Sequence, residues 1–208
     1  KWRDGRIKKE VFETSIGQGF YGYLFNLRRP LFADRRVREA IALAYDFGWI
    51  NRYKQYLRTY SLFANSEFAA EGPPGPDELA LLEPFRAELP PAAFGPAYRP
   101  PLTDDDPLAM RQQLRRARDL LAAAGWRLGP DGVLADAKGQ RLEFEYMDAQ
   151  DGAARTIATW QINLQKLGVR MNLRRVDFAL YIKRLENFDF DFIGVRSIDF
   201  TLPPALDF

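Results

Sequence analysis

The sequence predicts an α/β fold in which helices flank a mixed or parallel sheet. The first observation is the order of segments over residues 141–195, which is strand, helix, strand, helix, strand with short joints. The second is that the strand segments alternate apolar and polar residues. The third is that the helical segments repeat apolar residues every three or four positions and end at glycine. Strands joined in this way form a parallel sheet with right-handed crossovers.

The first part of the chain predicts one strand and two helices. The aromatic segment 21–27 is typical of a strand. Asp34 and Asp46 each precede a helical pattern, so we expect both to act as N-caps. The apolar positions of these helices are Val37, Ile41, Ala44 and Tyr45 in the first, and Ile50, Tyr53 and Leu57 in the second.

Residues 58–106 are rich in proline and predict an insert with a single helical segment at 77–89. A longer helix begins at Pro107, after the acidic run 104–106, and is expected to end at Gly125 in the left-handed conformation. Its apolar stripe contains Met110, Leu114, Ala117, Leu121 and Ala124.

The last predicted strand covers residues 188–195, where aromatic and acidic residues alternate before an Ile-Gly-Val run. Before it lie the predicted strands 142–146 and 169–174, a helix over 151–167, and a helix capped by Asp177. Arg196, Ser197 and Asp199 follow the last strand, at the carboxyl edge of the sheet. Ligands of open α/β sheets bind at that edge, so we expect these residues to form the site.

Composition excludes several classes of function. The chain has no cysteine and no histidine, which excludes Ser-His-Asp and Cys-His nucleophile systems and the usual zinc sites. A net charge of +2 with scattered basic residues does not favour nucleic acid as a partner. Residues 17–22 match the pattern GxGxxG, but no helix opens there, so they predict a turn. We expect no cofactor and no metal.

The order of four motifs resembles the extracellular solute-binding proteins of ABC importers, in the oligopeptide/dipeptide-binding class known as family 5. The motifs are Phe25-Asn26 with residues 30–41, residues 117–126 with 131–133, residues 161–169, and Tyr181 with Phe188-Asp189. The insert, from 61 to 84, is similar to the Yej-type subgroup, which is linked to oligopeptides and microcin C-like conjugates. Both ends of the chain are expected to be cuts in a longer protein.

The resemblance implies a type II periplasmic-binding-protein fold, in which two α/β lobes close on a ligand. Residues 1–27 would then hold the first crossover strand, 28–189 the second lobe with the insert 58–106, and 190–208 the second crossover strand with a hinge at Gly194. The expected function is capture of a peptide for delivery to a membrane permease, outside the cytoplasm, by a monomer without enzymatic activity.

The resemblance also implies roles for four residues. Asp199 falls where peptide-binding members place the aspartate that binds the ligand's α-ammonium group. Arg196 and Ser197 depart from the family pattern before that aspartate, and Arg196 favours a ligand that carries a carboxylate. Phe178 falls where the family places an aromatic residue on the cleft wall, and it could equally be a core residue at the start of a helix.

Two other functions are open from the residues alone. Paired carboxylates on one strand face, Asp189 with Asp191 or Glu143 with Glu145, could serve a hydrolase. The arginines of helix 107–124 could bind nucleic acid, although they lie off the apolar stripe and acidic residues are nearby. The solute-binding function is the preferred hypothesis.

Overall fold

The computed structural model of the chain describes residues 8, 10, 12, 20–52, 56–61, 63, 69–103, 106–149 and 154–197. The chain divides into two compact units. The larger unit comprises Tyr21–Arg58 and Arg99–Arg196, and the smaller comprises Lys1–Phe20, Thr59–Tyr98 and Ser197–Phe208. No helix within the described ranges has the length and apolarity needed to cross a membrane.

Six helices and six strands are described. Strand β1 is Phe20–Phe25, followed by α1 (Arg35–Leu43), α2 (Phe47–Asn51), α3 (Pro76–Leu82) and α4 (Pro107–Ala123). The short strands β2 (Arg127–Leu128) and β3 (Leu134–Ala135) form an antiparallel pair. The chain then continues through β4 (Glu143–Asp148), α5 (Ala154–Lys166), β5 (Arg170–Arg175), α6 (Phe178–Glu186) and β6 (Phe192–Ser197).

The main sheet is mixed and has the strand order β1-β6-β4-β5. Strand β4 lies parallel to both β5 and β6, with Tyr146 opposite Leu173 on one side and opposite Phe192 on the other. The predicted α/β fold with a mixed or parallel sheet is therefore confirmed.

Helices cover both faces of this sheet. On one face, Phe144, Tyr146 and Phe192 pack with α1, α4 and α5 in the larger core. On the opposite face, Met147 and Ile193 pack against Tyr181 and Leu185 of α6. This division follows from the alternation of side chains along a strand, which sends neighbouring residues to opposite faces.

Helix α5 is attached to α1 by two buried side chains. Trp160 Nε1 donates to the carbonyl of Ile41 at 2.9 Å, and Asn163 Nδ2 donates to the carbonyl of Ala44 at 3.1 Å. Both carbonyls lie near the C-terminus of α1, where the helix itself supplies few donors. The core is therefore joined by polar contacts as well as by apolar packing.

The three aspartates predicted to be N-caps each cap the helix that follows. Asp34 accepts from Arg36 N, Asp46 from Trp49 N, and Asp177 from Leu180 N. Gly125 has φ +94° after α4, as its predicted left-handed role requires, and Trp126 folds back so that it is buried. The sequence is sufficient to predict these caps, because a capping hydrogen bond joins residues that are no more than four positions apart in the chain.

Helix α2 is shorter than the sequence pattern predicts. It ends at Asn51, whose side chain accepts from Tyr56 N and donates to Tyr56 O, and this exchange closes a loop. Leu57 is 88% exposed, so its predicted place on the apolar face of the helix is wrong. Tyr53 lies outside the described residues.

The smaller unit contains α3 from the proline-rich insert. The helix ends at Leu82 and continues as the 3-10 turn Glu83–Phe85, so the predicted helical segment 77–89 is too long. Pro84 explains the early end because its ring removes a backbone donor and clashes with the preceding turn. Arg86 then forms an ion pair with Glu83, and its guanidinium carbon lies 3.9 Å from the ring centre of Phe94. Phe94 belongs to a second 3-10 turn, Pro91–Phe94.

The predicted start of the last strand is wrong. Strand β6 begins at Phe192 and extends to Ser197, whereas residues 188–191 follow α6 as an irregular segment with a turn at Phe188 and a bend at Asp191. Phe188 has φ +52°, in the left-handed region, which a strand cannot accommodate. Alternating aromatic and acidic residues therefore mark a tight turn here.

The turn is held by the end of β1. The side-chain amide of Asn26 donates to the carbonyls of Phe188 and Phe190 at 2.8 and 2.7 Å, and Asn26 N donates to Asp191 O at 2.9 Å. Arg28 lies over the ring of Phe188 at 3.4 Å. Asn26 is buried, so the Phe-Asn pair has a structural role in joining the end of β1 to the segment that leads into β6.

Candidate functional site

The candidate site lies at the carboxyl edge of the parallel strands. Strand β4 ends at Asp148 and β5 at Arg175, and these two residues are paired in register. Strand β6 continues past that level, because its register places Ile193 beside Met147 and leaves Gly194–Ser197 further along. The edge is thus formed by the ends of three strands and by the start of α6, as a ligand site in an open α/β sheet requires.

Three tyrosine hydroxyls surround Gly194 at this edge. Tyr181 Oη donates to the Gly194 carbonyl at 3.2 Å. A Cβ added to Gly194 would lie 2.6 Å from Tyr21 Oη and 2.7 Å from Tyr146 Oη, closer than any real side chain approaches. A side chain at this position would therefore force a phenol or the strand to move, because the two hydroxyls occupy the space of its Cβ. We call Gly194 with Tyr21, Tyr146 and Tyr181 the tyrosine clamp.

Tyr146 and Tyr181 are neutral donors at physiological pH. Burial raises the pKa of the Tyr146 phenol, and a side-chain hydrogen bond with Tyr21 raises it further. Burial also raises the pKa of Tyr181, with a further contribution from the negative charge of Asp148. Phenols of this kind do not ionise to become nucleophiles or bases at neutral pH, so they can only donate or accept hydrogen bonds.

Arg196 is exposed, and it follows the tyrosine clamp on β6. Because side chains alternate along a strand, Arg196 lies on the same face as Gly194, which is the face that contains Tyr146. Among the described residues the Arg196 guanidinium has no ion-pair partner. A free arginine at a strand end can bind a carboxylate with two parallel hydrogen bonds.

Phe178 is the first residue of α6 and is 67% exposed, so the interpretation of it as a core residue is wrong. Its ring stacks on that of Tyr181, with centroids 6.4 Å apart and an interplanar angle of 12°. Helix α6 covers the opposite face of the sheet from Gly194. Phe178 and Arg196 therefore approach the carboxyl edge from different faces.

The remaining predicted site residues are less fully described. Ser197 is the last residue of β6. Asp199, the predicted ammonium contact, lies outside the described residues. Tyr21 and Tyr146 were not identified as edge residues by sequence patterns, because a tyrosine in an alternating strand is equally typical of the core.

The paired carboxylates are engaged in ion pairs. Glu145 pairs with Arg174 at 3.3 Å and Arg184 at 3.1 Å, and Glu143 pairs with Arg170 at 3.5 Å and Arg141 at 3.7 Å. Asp189 and Asp191 both pair with Arg29 at 3.1 Å. Asp191 also accepts from Glu145 N at 3.0 Å.

These contacts give the carboxylates a structural role. Asp189 and Asp191 lie in the turn before β6, so the expected shared strand face does not exist for them. All four carboxylates are engaged by arginine side chains, so they serve to hold neighbouring elements together. Within the described ranges, no three acidic side chains are grouped as a metal site would require.

The sequence model of one family matches residues 3–206, nearly the whole chain. Its description is "Bacterial extracellular solute-binding proteins, family 5 Middle". The protein YejA of Escherichia coli K12, described as uncharacterized, is 39% identical over 188 residues. A probable peptide-binding protein YejA of Agrobacterium fabrum is 35% identical over 195 residues. These alignments cover 89% and 91% of the chain, but the chain spans only 31% of the length of each relative.

The fold is similar to solved structures of the same kind. The oligopeptide-binding protein AppA from Bacillus subtilis, in complex with a nonapeptide, superposes with a TM-score of 0.59 at 20% identity. The match covers 86% of the chain and 31% of AppA. The similarity confirms the predicted type II periplasmic-binding-protein fold.

Proposed function

Because the chain belongs to family 5 of the bacterial extracellular solute-binding proteins, we propose that it is part of the peptide-binding component of an ABC importer. The family match over residues 3–206 is the observation that carries this proposal. The name of the Agrobacterium relative, a probable peptide-binding protein, supports a peptide as the ligand. The protein would capture a peptide between two lobes and deliver it to the membrane permease.

In this proposal the chain contributes chiefly the second lobe. Residues 28–189 form the lobe with its insert at 58–106, and the two crossover strands lie in 1–27 and 190–208. The contacts between Asn26 and the turn before β6 support this arrangement, since they join the two strands where they enter the lobe. The first lobe would come from the part of the protein that the chain does not include.

The ligand would meet this lobe at the carboxyl edge. Arg196 binds a carboxylate of the peptide, supported by its exposure and by the lack of an ion-pair partner for it among the residues that are described. Asp199 binds the α-ammonium group, and Ser197 and Phe178 complete the contact. The exposed ring of Phe178 offers an apolar surface for a ligand side chain.

A binding role without turnover fits the chemistry of the edge. Tyr146 and Tyr181 stay neutral because burial raises the pKa of each phenol, and the acidic pairs Glu143 with Glu145 and Asp189 with Asp191 are each held by arginine. The partners would be a peptide and the permease subunits, with no nucleic acid and no cofactor. The protein would act as a monomer in the periplasm or outside the cell.

Native mass spectrometry of the full-length protein tests the function directly. We expect a peptide or peptide conjugate to co-purify, to be released intact on denaturation, and to rebind. Recovery of a cleaved product that forms on incubation, and whose formation is lost in Asp191→Ala, would support the hydrolase instead.

The role of Arg196 is tested separately with peptides as free acids and as C-terminal amides. Arg196→Gln should reduce the affinity for free acids by about tenfold or more and leave that for amides nearly unchanged, since a charged hydrogen bond is worth about 1.5–3 kcal/mol. Arg111→Gln, at an exposed position on α4, is the matched control. An equal loss for acids and amides would contradict the assignment of Arg196.

A further inference from the structure

We infer that the tyrosine clamp is a positioning device for Arg196 and thereby determines how strongly the protein prefers ligands with a free carboxylate. This inference rests on the proposed function and extends it, because it assigns ligand selectivity to residues that do not contact the ligand. It concerns Gly194 above all, since this residue receives contacts from strands on both sides and from α6.

The clamp fixes the backbone of β6 from two faces of the sheet. Tyr181 Oη, from α6, donates to the Gly194 carbonyl at 3.2 Å. On the other face, Tyr21 and Tyr146 place their hydroxyls 2.6 and 2.7 Å from the position of a Cβ on Gly194. The strand therefore has little freedom to move at this point toward either side.

Tyr146 makes the clamp rigid. Its side chain is fully buried, and its ring packs edge-on against Tyr23 and Phe192, with centroids 6.0 and 5.8 Å away. Tyr21 is more mobile, because 46% of it is exposed, and it has one described ring contact, with Tyr23 at 5.4 Å. A side chain added to Gly194 would thus displace Tyr21 or the strand before it displaced Tyr146.

Displacement at Gly194 would be transmitted to Arg196. The two residues are separated by one residue on an extended strand, a distance of about 7 Å, and their side chains point to the same face. A charge-assisted bond between arginine and carboxylate needs a separation of about 2.7–2.9 Å, so a shift of about 1 Å in the strand would remove it. The clamp therefore contributes to selectivity through the position of the guanidinium.

Three variants of the full-length protein separate an effect on the position of Arg196 from a general loss of stability or binding. Gly194→Ala introduces the clash with both phenols. Adding Tyr21→Phe and Tyr146→Phe to it removes both hydroxyls and relieves most of the clash, since the next atom, Tyr21 Cζ, lies 3.3 Å from the Cβ position and needs to move by only a few tenths of an ångström. Tyr181→Phe removes only the donor to the Gly194 carbonyl. Tyr98→Phe, at an exposed position in the smaller unit, is the control.

A pool of peptides three to ten residues long is prepared once as free acids and once as C-terminal amides. The measurement is the ratio of the affinity for the free acids to the affinity for the amides. We expect Gly194→Ala to lower this ratio about tenfold, as Arg196→Gln does, and the triple variant to restore most of it. Gly194→Ala combined with Arg196→Gln should lower the ratio no further than either change alone, because both act on one contact. Tyr98→Phe should leave the ratio unchanged.

Two results would overturn the inference. One is a Gly194→Ala protein with the wild-type ratio, and the other is a triple variant as unselective as Gly194→Ala. If Gly194→Ala does not fold, Tyr181→Phe replaces it, with an expected drop in the ratio of about threefold; an unchanged ratio would then overturn the inference. If Arg196→Gln itself keeps the wild-type ratio, the ligand role of Arg196 in the proposed function fails, and the inference fails with it.

Discussion

Substitution of Asn26 by alanine should destabilise the protein strongly, although the residue lies at the end of an outer strand. The side-chain amide donates to the carbonyls of Phe188 and Phe190, and the side-chain oxygen accepts from Arg28 N at 3.1 Å. Alanine would remove all three bonds. The two backbone bonds of the residue would remain, from Asn26 N to Asp191 O and from Arg29 N to Asn26 O.

The magnitude follows from the burial of the groups left behind. The Phe190 carbonyl keeps a second donor, Arg29 Nε at 3.2 Å, so the loss of its hydrogen bond with Asn26 costs little free energy. In this partly buried site the Phe188 carbonyl loses its donor and the Arg28 amide loses its acceptor, at about 1–2 kcal/mol each. The total is about 2–4 kcal/mol, a large part of the roughly 5–15 kcal/mol that stabilises a typical domain.

Urea denaturation of the protein, followed by far-UV circular dichroism, measures this loss. With a slope of about 2 kcal/mol per molar urea, the midpoint should fall by about 1–2 M. Asn187→Ala is the control, because that exposed side chain bonds, among the described residues, only to Lys183 O one helix turn earlier. Asn26→Asp should be at least as harmful, since an acceptor would face two carbonyls. A shift for Asn26→Ala no larger than that for Asn187→Ala would refute the reasoning.

Two further predictions concern the aromatic core. Trp160→Phe should lower the free energy of unfolding by about 2–3 kcal/mol, because it removes the buried hydrogen bond to the Ile41 carbonyl and leaves a small cavity. Thermal unfolding measures this loss, with Trp49→Phe, at a less buried site, as the control. Equal losses for the two variants would contradict the prediction. Burial raises the pKa of the Tyr23 phenol, so the folded state keeps a proton that the unfolded chain loses near pH 10. Stability is therefore complete below about pH 10 and falls above it, by about 1.4 kcal/mol per pH unit for this tyrosine. Tyr23 Oη has no hydrogen-bond partner among the described residues, so Tyr23→Phe should change the free energy of unfolding little at neutral pH. The same variant should reduce the fall in stability above pH 10, whereas the exposed control Tyr98→Phe should leave that fall unchanged.

Many features of the fold are determined by residues that are close in sequence, and these features can be predicted from the sequence. The N-caps Asp34, Asp46 and Asp177 and the left-handed Gly125 each act within a few residues of themselves. The parallel pairing of β4 with β5 and β6 follows from helix-linked strands. These features could be predicted because each depends on a pattern that a short window of sequence contains.

Errors arose where distant parts of the chain decide the local conformation. The alternation of residues 188–191 predicts a strand, but Asn26, 162 residues before Phe188, holds that segment as a turn with Phe188 at φ +52°. The end of α2 has a nearer cause, the exchange of hydrogen bonds between Asn51 and Tyr56, which the apolar spacing of the helix does not reveal. A periodic pattern cannot contain the competing hydrogen bonds of a remote side chain.

The sequence by itself determined the fold class, the family and the position of Arg196 and Ser197 at the end of the last strand. Only the tertiary structure showed that Gly194 lies among the hydroxyls of Tyr21, Tyr146 and Tyr181, and that Phe178 is exposed on the opposite face from Gly194. The reason is physical: residue type and spacing specify which backbone conformations are favourable, whereas a shared site depends on which side chains the packed sheet brings within a few ångströms of one another.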